Sequence, residues 1–147
     1  MIIIEDIHSL QQQLKFIRTS SSNAPLLKVA LVPTMGNLHP GHLSLIDQAK
    51  KIADIVVATI FVNPMQFGPN EDFTSYPRTP NQDIEQLKSA KVDMLFMPKE
   101  EEIFSSSLEE QTYIVVPKLS RLLCGIFRPT HFDGVVTIVA KLFNLIE

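Results

Sequence analysis

The chain has 147 residues, of which 45% are hydrophobic and 20% charged, and its formal net charge is −3. This length suits one domain with a single core, and the composition is that of a globular rather than a disordered protein. Because the charge balance is acidic and no cluster of Lys or Arg stands out, we do not expect the chain to bind nucleic acid. One folded domain over residues 1–147 is therefore expected.

The sequence carries no sign of secretion or membrane insertion. Cys124 is the only cysteine, so no internal disulfide can form. The N-terminus lacks the basic, apolar and small-residue pattern of a signal peptide, and no apolar run reaches the roughly 20 residues that a membrane span needs. We expect a cytoplasmic protein that does not associate with a membrane.

Hydrophobic spacing predicts strands and helices in alternation along most of the chain. Short apolar, β-branched runs predict strands, and apolar residues three and four positions apart predict helices. The predicted strands cover residues 2–4, 26–32, 55–62 and 93–97, and the predicted helices begin after Asp6, at Gly41 or His42, and at Pro80. Polar residues 20–25 and the Pro- and Gly-containing residues 67–80 predict loops.

The last third of the chain completes this pattern. The acidic residues 100–110 predict no particular element, the β-branched residues 112–116 predict a further strand, and residues from 131 to the end predict a largely buried apolar helix. Repeated alternation of strand and helix predicts an open α/β sheet with mostly parallel strands, right-handed crossovers and helices on both faces.

The first candidate site is the turn His39-Pro40-Gly41-His42, between the second predicted strand and the next helix. Unpaired backbone N–H groups and the helix dipole favour an anion at a helix start, so a phosphate group is the expected guest. Both imidazoles can donate hydrogen bonds as charge builds on a leaving group, and Gly41 leaves room for a flat base. The alternatives are exposed turn histidines without function, or a metal site, for which no third ligand lies nearby in sequence.

The second candidate site is the segment Asn63-Pro64-Met65-Gln66-Phe67-Gly68, at the end of the third predicted strand. Open α/β sheets bind ligands outside the carboxyl ends of their strands. The uncharged carboxamides of Asn63 and Gln66 can donate to and accept from a hydroxy acid. Since Asn-Pro is also a common turn signal, a purely structural turn is the alternative.

The third candidate site precedes the last helix. Arg128 offers a planar fork for a carboxylate or phosphate, and His131 at the helix start could join it. The alternative is a surface arginine followed by a capping segment.

Four further residues invite a chemical interpretation. Cys124 is expected to be a small core residue rather than a nucleophile. Glu71, Asp72 and Asp83 could help to hold magnesium, but solvated loop and helix-start carboxylates are the preferred interpretation.

Together these segments resemble the pantothenate synthetase family, whose members are also called pantoate:beta-alanine ligases. The resemblance extends over nearly the whole chain and is carried by segments that occur in the same order. They are Val32-Pro33-Thr34-Met35-Gly36-Asn37-Leu38-His39-Pro40-Gly41-His42-Leu43-Ser44-Leu45, Phe61-Val62-Asn63-Pro64-Met65-Gln66-Phe67-Gly68-Pro69-Asn70-Glu71-Asp72, Tyr76-Pro77-Arg78-Thr79 and Arg128-Pro129-Thr130-His131-Phe132-Asp133-Gly134-Val135. The family implies a Rossmann-like nucleotidyltransferase fold.

The resemblance also implies a reaction and a set of site residues. ATP and pantoate would give pantoyl adenylate and pyrophosphate, with Mg²⁺, before beta-alanine displaces AMP to make pantothenate, a coenzyme A precursor. By motif position, His42 would donate a proton to the leaving phosphate, and Gln66 would bind pantoate and beta-alanine, with Asn63 and Met35 also at pantoate. ATP would contact Met35, Gly36, Asn37, Leu38, His39, Pro40, Gly41 and His42, with His39 as the second catalytic histidine. Arg128 and His131 match the family without a defined role.

One departure from the family bears on activity. Members are considerably longer, and after a segment like Lys141-Leu142-Phe143-Asn144-Leu145-Ile146 they continue into a Gly-x-Lys-Asp segment and a C-terminal lid domain. We therefore expect a nucleotide- and pantoate-binding half-site that is inactive alone. The alternatives are a nucleotidyltransferase acting on a phosphorylated acceptor, or a non-catalytic nucleotide-binding module. The oligomeric state stays open, with a homodimer as one option.

Overall fold

The structure is a computed structural model, and it describes residues 1–19, 27–68, 71 and 73–146. These residues form a four-stranded parallel sheet in the order β1-β4-β3-β2. The strands are β1 (Ile2–Ile4), β2 (Val29–Val32), β3 (Ile55–Thr59) and β4 (Met94–Phe96). The α/β architecture predicted from the alternating pattern is confirmed.

Five α-helices are present in the described residues, together with short 3₁₀ turns. They are α1 (Ile7–Thr19), α2 (Pro40–Ile52), α3 (Pro80–Ser89), α4 (Glu100–Ile103) and α5 (His131–Ile146). The predicted helices after Asp6, near Gly41 and at Pro80 therefore exist, and the long apolar helix from 131 exists as well. None of the helices in the described ranges is long and apolar enough to cross a membrane.

The two faces of the sheet are covered by different helices, because side chains alternate along each strand. Val57 and Phe96 point into a cluster with Leu10 and Leu14 of α1 and with residues of α5. The neighbouring residues Val56 and Leu95 point the other way, into a cluster with helices α2 and α3. A fully buried Leu, Ile, Val or Phe side chain stabilises the fold by roughly 1.5–3 kcal/mol, so both layers are needed.

One predicted strand is not formed. Residues 112–116 lie outside the sheet and pair with no strand of the described chain. Tyr113, Ile114 and Val115 are exposed, and the backbone N–H of Ile114 donates instead to Thr137 Oγ1 at 2.9 Å. A run of β-branched residues indicates only that a segment would fit well in a sheet. To form a strand, the segment also needs a free sheet edge beside it.

The remaining differences concern boundaries. The third strand ends at Thr59 rather than at residue 62, and the acidic segment 100–110 contains α4 and a 3₁₀ turn at Leu108–Glu110. The predicted polar break at residues 20–25 and the first residue of the predicted strand 26–32 lie outside the described residues.

Candidate active site

The site lies where strands β2 and β3 end, side by side at the same edge of the sheet. The chain leaves β2 through Pro33 and Thr34 towards α2, and it leaves β3 towards Asn63. Thr34 ties the two exits together: its hydroxyl donates to the Thr59 carbonyl oxygen at 2.5 Å, and its carbonyl oxygen accepts from the Phe61 N–H at 3.0 Å. The two predicted segments are therefore neighbours in space.

The turn between β2 and α2 passes through two residues with positive φ. Gly36 has φ of +80° and Asn37 has φ of +51°. A Cβ on Gly36 would come within 3.1 Å of both Asp83 Oδ2 and Ile60 Cγ2, so glycine suits this position by conformation and by space. The turn therefore lies directly against α3.

Asp83 of α3 holds this turn. Its carboxylate accepts hydrogen bonds from Asn37 N–H at 2.9 Å and Leu38 N–H at 2.8 Å, and from the Thr79 hydroxyl at 3.1 Å. The side chain is only 1% exposed. The interpretation of Asp83 as a solvated helix-start carboxylate is therefore wrong, because the helical spacing of α3 does not reveal that its first turn faces another loop.

The two histidines of the motif cap helix α2 reciprocally. His39 is the N-cap residue, and its Nδ1 accepts from Gly41 N–H at 3.1 Å, while His42 Nδ1 accepts from His39 N–H at 3.4 Å. The ring centroids are 4.0 Å apart. A nitrogen that accepts a hydrogen bond carries no proton, so both neutral rings hold their proton on Nε2.

This capping corrects the physical reason for expecting a phosphate at the turn. Gly36 N–H donates to Thr34 Oγ1, and the N–H groups of Asn37, Leu38, His39 and Gly41 all have side-chain acceptors. The expected unpaired backbone donors are thus already paired. What the turn offers an anion is the two Nε2–H groups of the imidazoles.

The pKa of His42 lies below its usual value. Partial burial is the largest cause, the neighbouring His39 adds to it, and the negative charge of Asp83 opposes both. At neutral pH His42 is therefore an uncharged hydrogen-bond donor. A neutral ring carries one N–H proton, so it suits hydrogen bonding to an oxygen that gains negative charge. It is less suited to giving up the additional proton that only the charged imidazolium carries.

Asn63 and Gln66 form a buried pair at the end of β3. Asn63 is fully buried and caps the 3₁₀ turn Pro64–Gln66 by accepting from Met65 N–H at 3.2 Å. Its Nδ2 donates to Gln66 Oε1 at 3.1 Å and to the Gly134 carbonyl oxygen at 3.2 Å. With Oε1 facing Asn63, the Nε2 donor of Gln66 is directed away from it.

The third candidate segment contacts the second through the backbone of Gln66. Arg128 Nη2 donates to the Gln66 carbonyl oxygen at 3.0 Å, and His131 Nδ1 donates to the same oxygen at 2.9 Å. The predicted residues of two separate segments therefore meet, although at main chain rather than at a free ligand position.

The Arg128 fork is filled by an internal carboxylate. Its Nε and Nη2 donate to the two oxygens of Glu71, with 2.6 Å for Nη2 to Oε2. These bonds, with a further one from Gly68 N–H, lower the pKa of Glu71 to about 2. Glu71 is a partly exposed loop carboxylate, as expected, but it is also ion-paired, so the Arg128 fork is occupied by Glu71 rather than open to a ligand.

Gly134 is a site residue whose role the sequence analysis missed. A Cβ there would lie 2.2 Å from the Met65 carbonyl oxygen and 3.0 Å from Gln66 N, so the first turn of α5 packs directly on the 3₁₀ turn. The available signal was a glycine inside an otherwise strongly helical pattern. Such a glycine often marks a place where another part of the backbone packs closely against the helix.

A cleft of 220 Å³ unites three of the predicted residues, Met35, His42 and Gln66. Thr34 and Tyr76 add polar groups, and the other walls are apolar: Pro33, Phe61, Val135, Ile138, Val139 and Leu142. An adjoining pocket of 340 Å³ shares Met35 and also meets Gly36 and Asp83. Apolar walls with a few convergent polar groups are typical of a small-molecule site.

Other predicted residues do not line this cleft. Asn63 lies behind Gln66, while Arg128 and His131 line a separate pocket of 250 Å³ with Glu71. The remaining predicted ATP residues form the turn before α2 and its first two positions, and they do not line the cleft. They are Asn37, Leu38, His39, Pro40 and Gly41.

Two further expectations can be compared with the structure. Cys124 is exposed, so its expected place in the core is wrong. Within the described residues no group of three or more His, Cys, Asp or Glu side chains could hold a metal ion. Asp72 lies outside the described residues.

A parallel sheet with a small-molecule cleft at the carboxyl ends of its strands, and paired histidines opening the next helix, defines an open α/β protein with its cleft at the edge where such folds bind ligands. The family model "Pantoate-beta-alanine ligase" matches residues 2–147. The chain therefore belongs to the pantoate–beta-alanine ligase family.

Solved structures agree with this assignment. Pantothenate synthetase from Thermus thermophilus is 40% identical, with a TM-score of 0.83, and the match covers 99% of this chain and 49% of that one. Pantoate-beta-alanine ligase from Francisella tularensis, complexed with beta-gamma ATP and beta-alanine, is 40% identical with a TM-score of 0.85, covering 99% and 53%. The chain thus spans about half the length of these relatives.

Proposed function

We propose that this chain carries the ATP and pantoate half-site of an AMP-forming ligase that joins pantoate to beta-alanine. The observation that carries the proposal is the 220 Å³ cleft in which Met35, His42 and Gln66 converge. Membership of the family and the relative that was solved with beta-gamma ATP and beta-alanine support it.

The cleft suits pantoate, a branched hydroxy acid. Its methyl groups would pack on the apolar side chains of α5, and its hydroxyl and carboxylate groups would accept from Gln66 Nε2 and reach Thr34 and Tyr76. The carboxylate would then lie near His42, at the start of α2. The assignment of Met35 and Gln66 to pantoate is retained, whereas Asn63 would act by orienting Gln66.

The first chemical step would transfer AMP to the acid. A pantoate carboxylate oxygen attacks the α-phosphorus of ATP, the bond from that phosphorus to the oxygen bridging to the β-phosphate breaks, and pyrophosphate leaves. The Nε2–H groups of His42 and His39 would donate to phosphate oxygens as the leaving group gains charge. ATP would lie along Met35 to His42.

The second step would form the amide. The amine nitrogen of beta-alanine attacks the acyl carbon of pantoyl adenylate, the bond from that carbon to the phosphate oxygen breaks, and AMP leaves while the nitrogen loses a proton. Gln66, at the cleft, is the proposed contact for beta-alanine.

Magnesium would accompany ATP. Mg²⁺ is usually held by one or two carboxylates together with substrate phosphates, rather than by a dedicated protein cage. Both oxygens of Asp83 already accept hydrogen bonds and Glu71 is paired with Arg128, so neither fits as a ligand without giving up a bond. We assign no residue to the metal.

We also propose that this chain turns over slowly or not at all on its own. Within the described residues no Lys or Arg lines the cleft beside His42, and Arg78 lines only the adjoining pocket, so the growing charge on pyrophosphate would meet few cations. Stabilisation of that charge commonly uses cations placed around the leaving group. Binding without turnover is therefore the second candidate function.

Two measurements test these proposals. Thermal unfolding with ATP, with pantoate and with both should show a rise in melting temperature for each ligand and the largest rise for the pair. No stabilisation by either ligand would contradict the half-site. Release of AMP from ATP, pantoate and beta-alanine should be very slow, and rapid turnover would refute the inactivity of the chain.

The alternative transferase has a distinct signature. A nucleotidyltransferase would release pyrophosphate with a phosphorylated acceptor and ignore pantoate. The apolar wall opposite Gln66 argues against an acceptor with a phosphate there. Cytoplasmic location and a homodimer remain predictions, to be checked by cell fractionation and by light scattering.

A further inference from the structure

Asp83 is a buried carboxylate without an ion-pair partner in the described chain. Burying a charge is costly unless hydrogen bonds compensate for the lost water. Here three donors do so, namely Asn37 N–H, Leu38 N–H and the Thr79 hydroxyl. Another side chain could not easily accept the same three hydrogen bonds. Because Asp83 lies beside the candidate site, we expect this carboxylate to have a role in that site.

The turn that receives Asp83 has the geometry of an anion-binding loop. Successive left-handed residues at Gly36 and Asn37 turn the following N–H groups towards one point, and concavities of this kind bind phosphates and other anions. In this protein the anion is a side chain from α3. The carboxylate oxygen reaches the turn because Gly36 has no Cβ to obstruct it.

We propose that Asp83 is a positioning residue for the reaction, whose carboxylate fixes the turn at residues 36–38 and thereby the orientation of the His39 and His42 rings. The inference rests on the proposed function of those rings. Leu38, which Asp83 binds, immediately precedes His39, the N-cap residue of α2. A turn held at Leu38 therefore sets the direction in which the capped imidazoles present their Nε2–H groups.

The charge of Asp83 gives this role a measurable signature. The groups that face His42 are His39 in the same turn, Asp83 from α3 and the Tyr76 phenol in the shared cleft. Asp83 favours the charged form of His42 and so raises its pKa against the effect of burial. Replacing the carboxylate by an amide should lower the pKa of His42 further, an effect that mere loss of stability would not produce.

The first experiment uses the ligand-free chain labelled with ¹⁵N. Ring-nitrogen spectra recorded against pH give the tautomer and pKa of each histidine, and amide exchange reports on the turn. In Asp83→Asn we expect a lower His42 pKa and exchange of the Asn37 and Leu38 amides faster by about tenfold or more, because a bond to a charged acceptor is lost. The control Glu85→Gln, exposed on the same helix, should match the wild type.

A second variant covers the case in which Asp83→Asn does not fold. Thr79→Val keeps the carboxylate and removes one of its donors, and Thr79 makes no side-chain capping bond to α3. The amides of Asn37 and Leu38 should again exchange faster. Unchanged ring titration and unchanged exchange in the folded variants would overturn the positioning role.

A titration with ATP separates this inference from the proposed function. The dissociation constant should rise by about tenfold in Asp83→Asn, the factor that corresponds to loss of one well-formed contact, and stay unchanged in Glu85→Gln. Failure of the wild type to bind ATP would contradict the proposed function, while the ligand-free spectra still decide the effect of Asp83 on the turn. Equal ATP affinity in wild type and Asp83→Asn would overturn its role in the reaction.

Discussion

The side-chain amide of Asn63 donates to the side-chain oxygen of Gln66 at 3.1 Å, and this bond decides which end of Gln66 faces the cleft. An amide side chain can present either its oxygen or its nitrogen. Because Asn63 supplies a donor, Gln66 Oε1 turns towards Asn63 and Nε2 remains for a ligand. A carboxylate ligand needs that donor.

Asn63→Asp should turn the Gln66 amide round, so that its Nε2 faces residue 63 and its Oε1 faces the cleft. The new carboxylate can still accept from Met65 N–H, but it cannot donate to Gln66 Oε1 or to the Gly134 carbonyl oxygen. We expect a loss of about 1–3 kcal/mol in unfolding free energy from unpaired buried acceptors, and weaker pantoate binding. Urea denaturation and calorimetric titration measure the two effects. Asn81→Asp, at an exposed position, is the control, and unchanged pantoate affinity in Asn63→Asp would remove Asn63 from the orienting role.

Gly134→Ala tests the contact between α5 and the turn at Met65. Helix propensity alone predicts that alanine stabilises the helix by about 1 kcal/mol. The Cβ would meet the Met65 carbonyl oxygen at 2.2 Å, so we expect instead a destabilisation of about 1–3 kcal/mol from overpacking.

Thermal unfolding gives the sign of that change directly. Gly68→Ala is the matched control, since a Cβ there meets nothing within 4 Å. A more stable Gly134→Ala protein would show that the close approach is not required.

His42→Ala should reduce adenylate formation while leaving pantoate binding nearly intact. Loss of a preorganised donor to a developing negative charge commonly costs about 10²–10³ in rate. Formation of AMP or pantoyl adenylate in a single turnover, with the chain in excess over ATP, measures the step even where turnover is slow. His8→Ala, at an exposed position of α1, serves as the control, and an unchanged single-turnover rate would exclude His42 from the chemistry.

The pH dependence of the same step follows from the lowered pKa of His42. Because the ring must be neutral to cap His39 N–H through Nδ1, protonation should abolish its function. A free imidazole is half protonated at pH 6.5, and the lowered pKa keeps the His42 ring neutral into more acidic solution. The midpoint of the decline in single-turnover rate should therefore lie below pH 6.5. A midpoint at or above pH 6.5 would contradict this.

The ion pair between Glu71 and Arg128 should make stability depend on acid pH. The pKa of Glu71 is about 2 in the folded protein against 4.5 ordinarily, so its contribution is present above pH 4.5 and is lost as pH falls towards 2. Glu71→Gln should remove that part of the pH dependence, as measured by urea midpoints from about pH 6 to about pH 2. Glu109→Gln, at an exposed position, should keep the wild-type slope.

Much of the fold was predictable because it is encoded locally. Two examples are the apolar stripe of α1, with Leu10 and Leu14, and the continuous apolar run of β3. Each is a pattern that a few neighbouring residues display by themselves. The strand predicted at residues 112–116 was wrong for the opposite reason, since pairing depends on an edge supplied by distant residues.

The sequence by itself determined most of the helices and strands, the position of the paired histidines at a helix start and the family resemblance, since these depend on residue identity and short spacing. Only the tertiary structure decided which donors and acceptors are paired internally. Asp83 lies 45 positions from Leu38 in sequence, and Glu71 lies 57 from Arg128, yet each pair is hydrogen-bonded. No spacing rule reaches that far, because contacts of this kind are fixed by how whole elements pack.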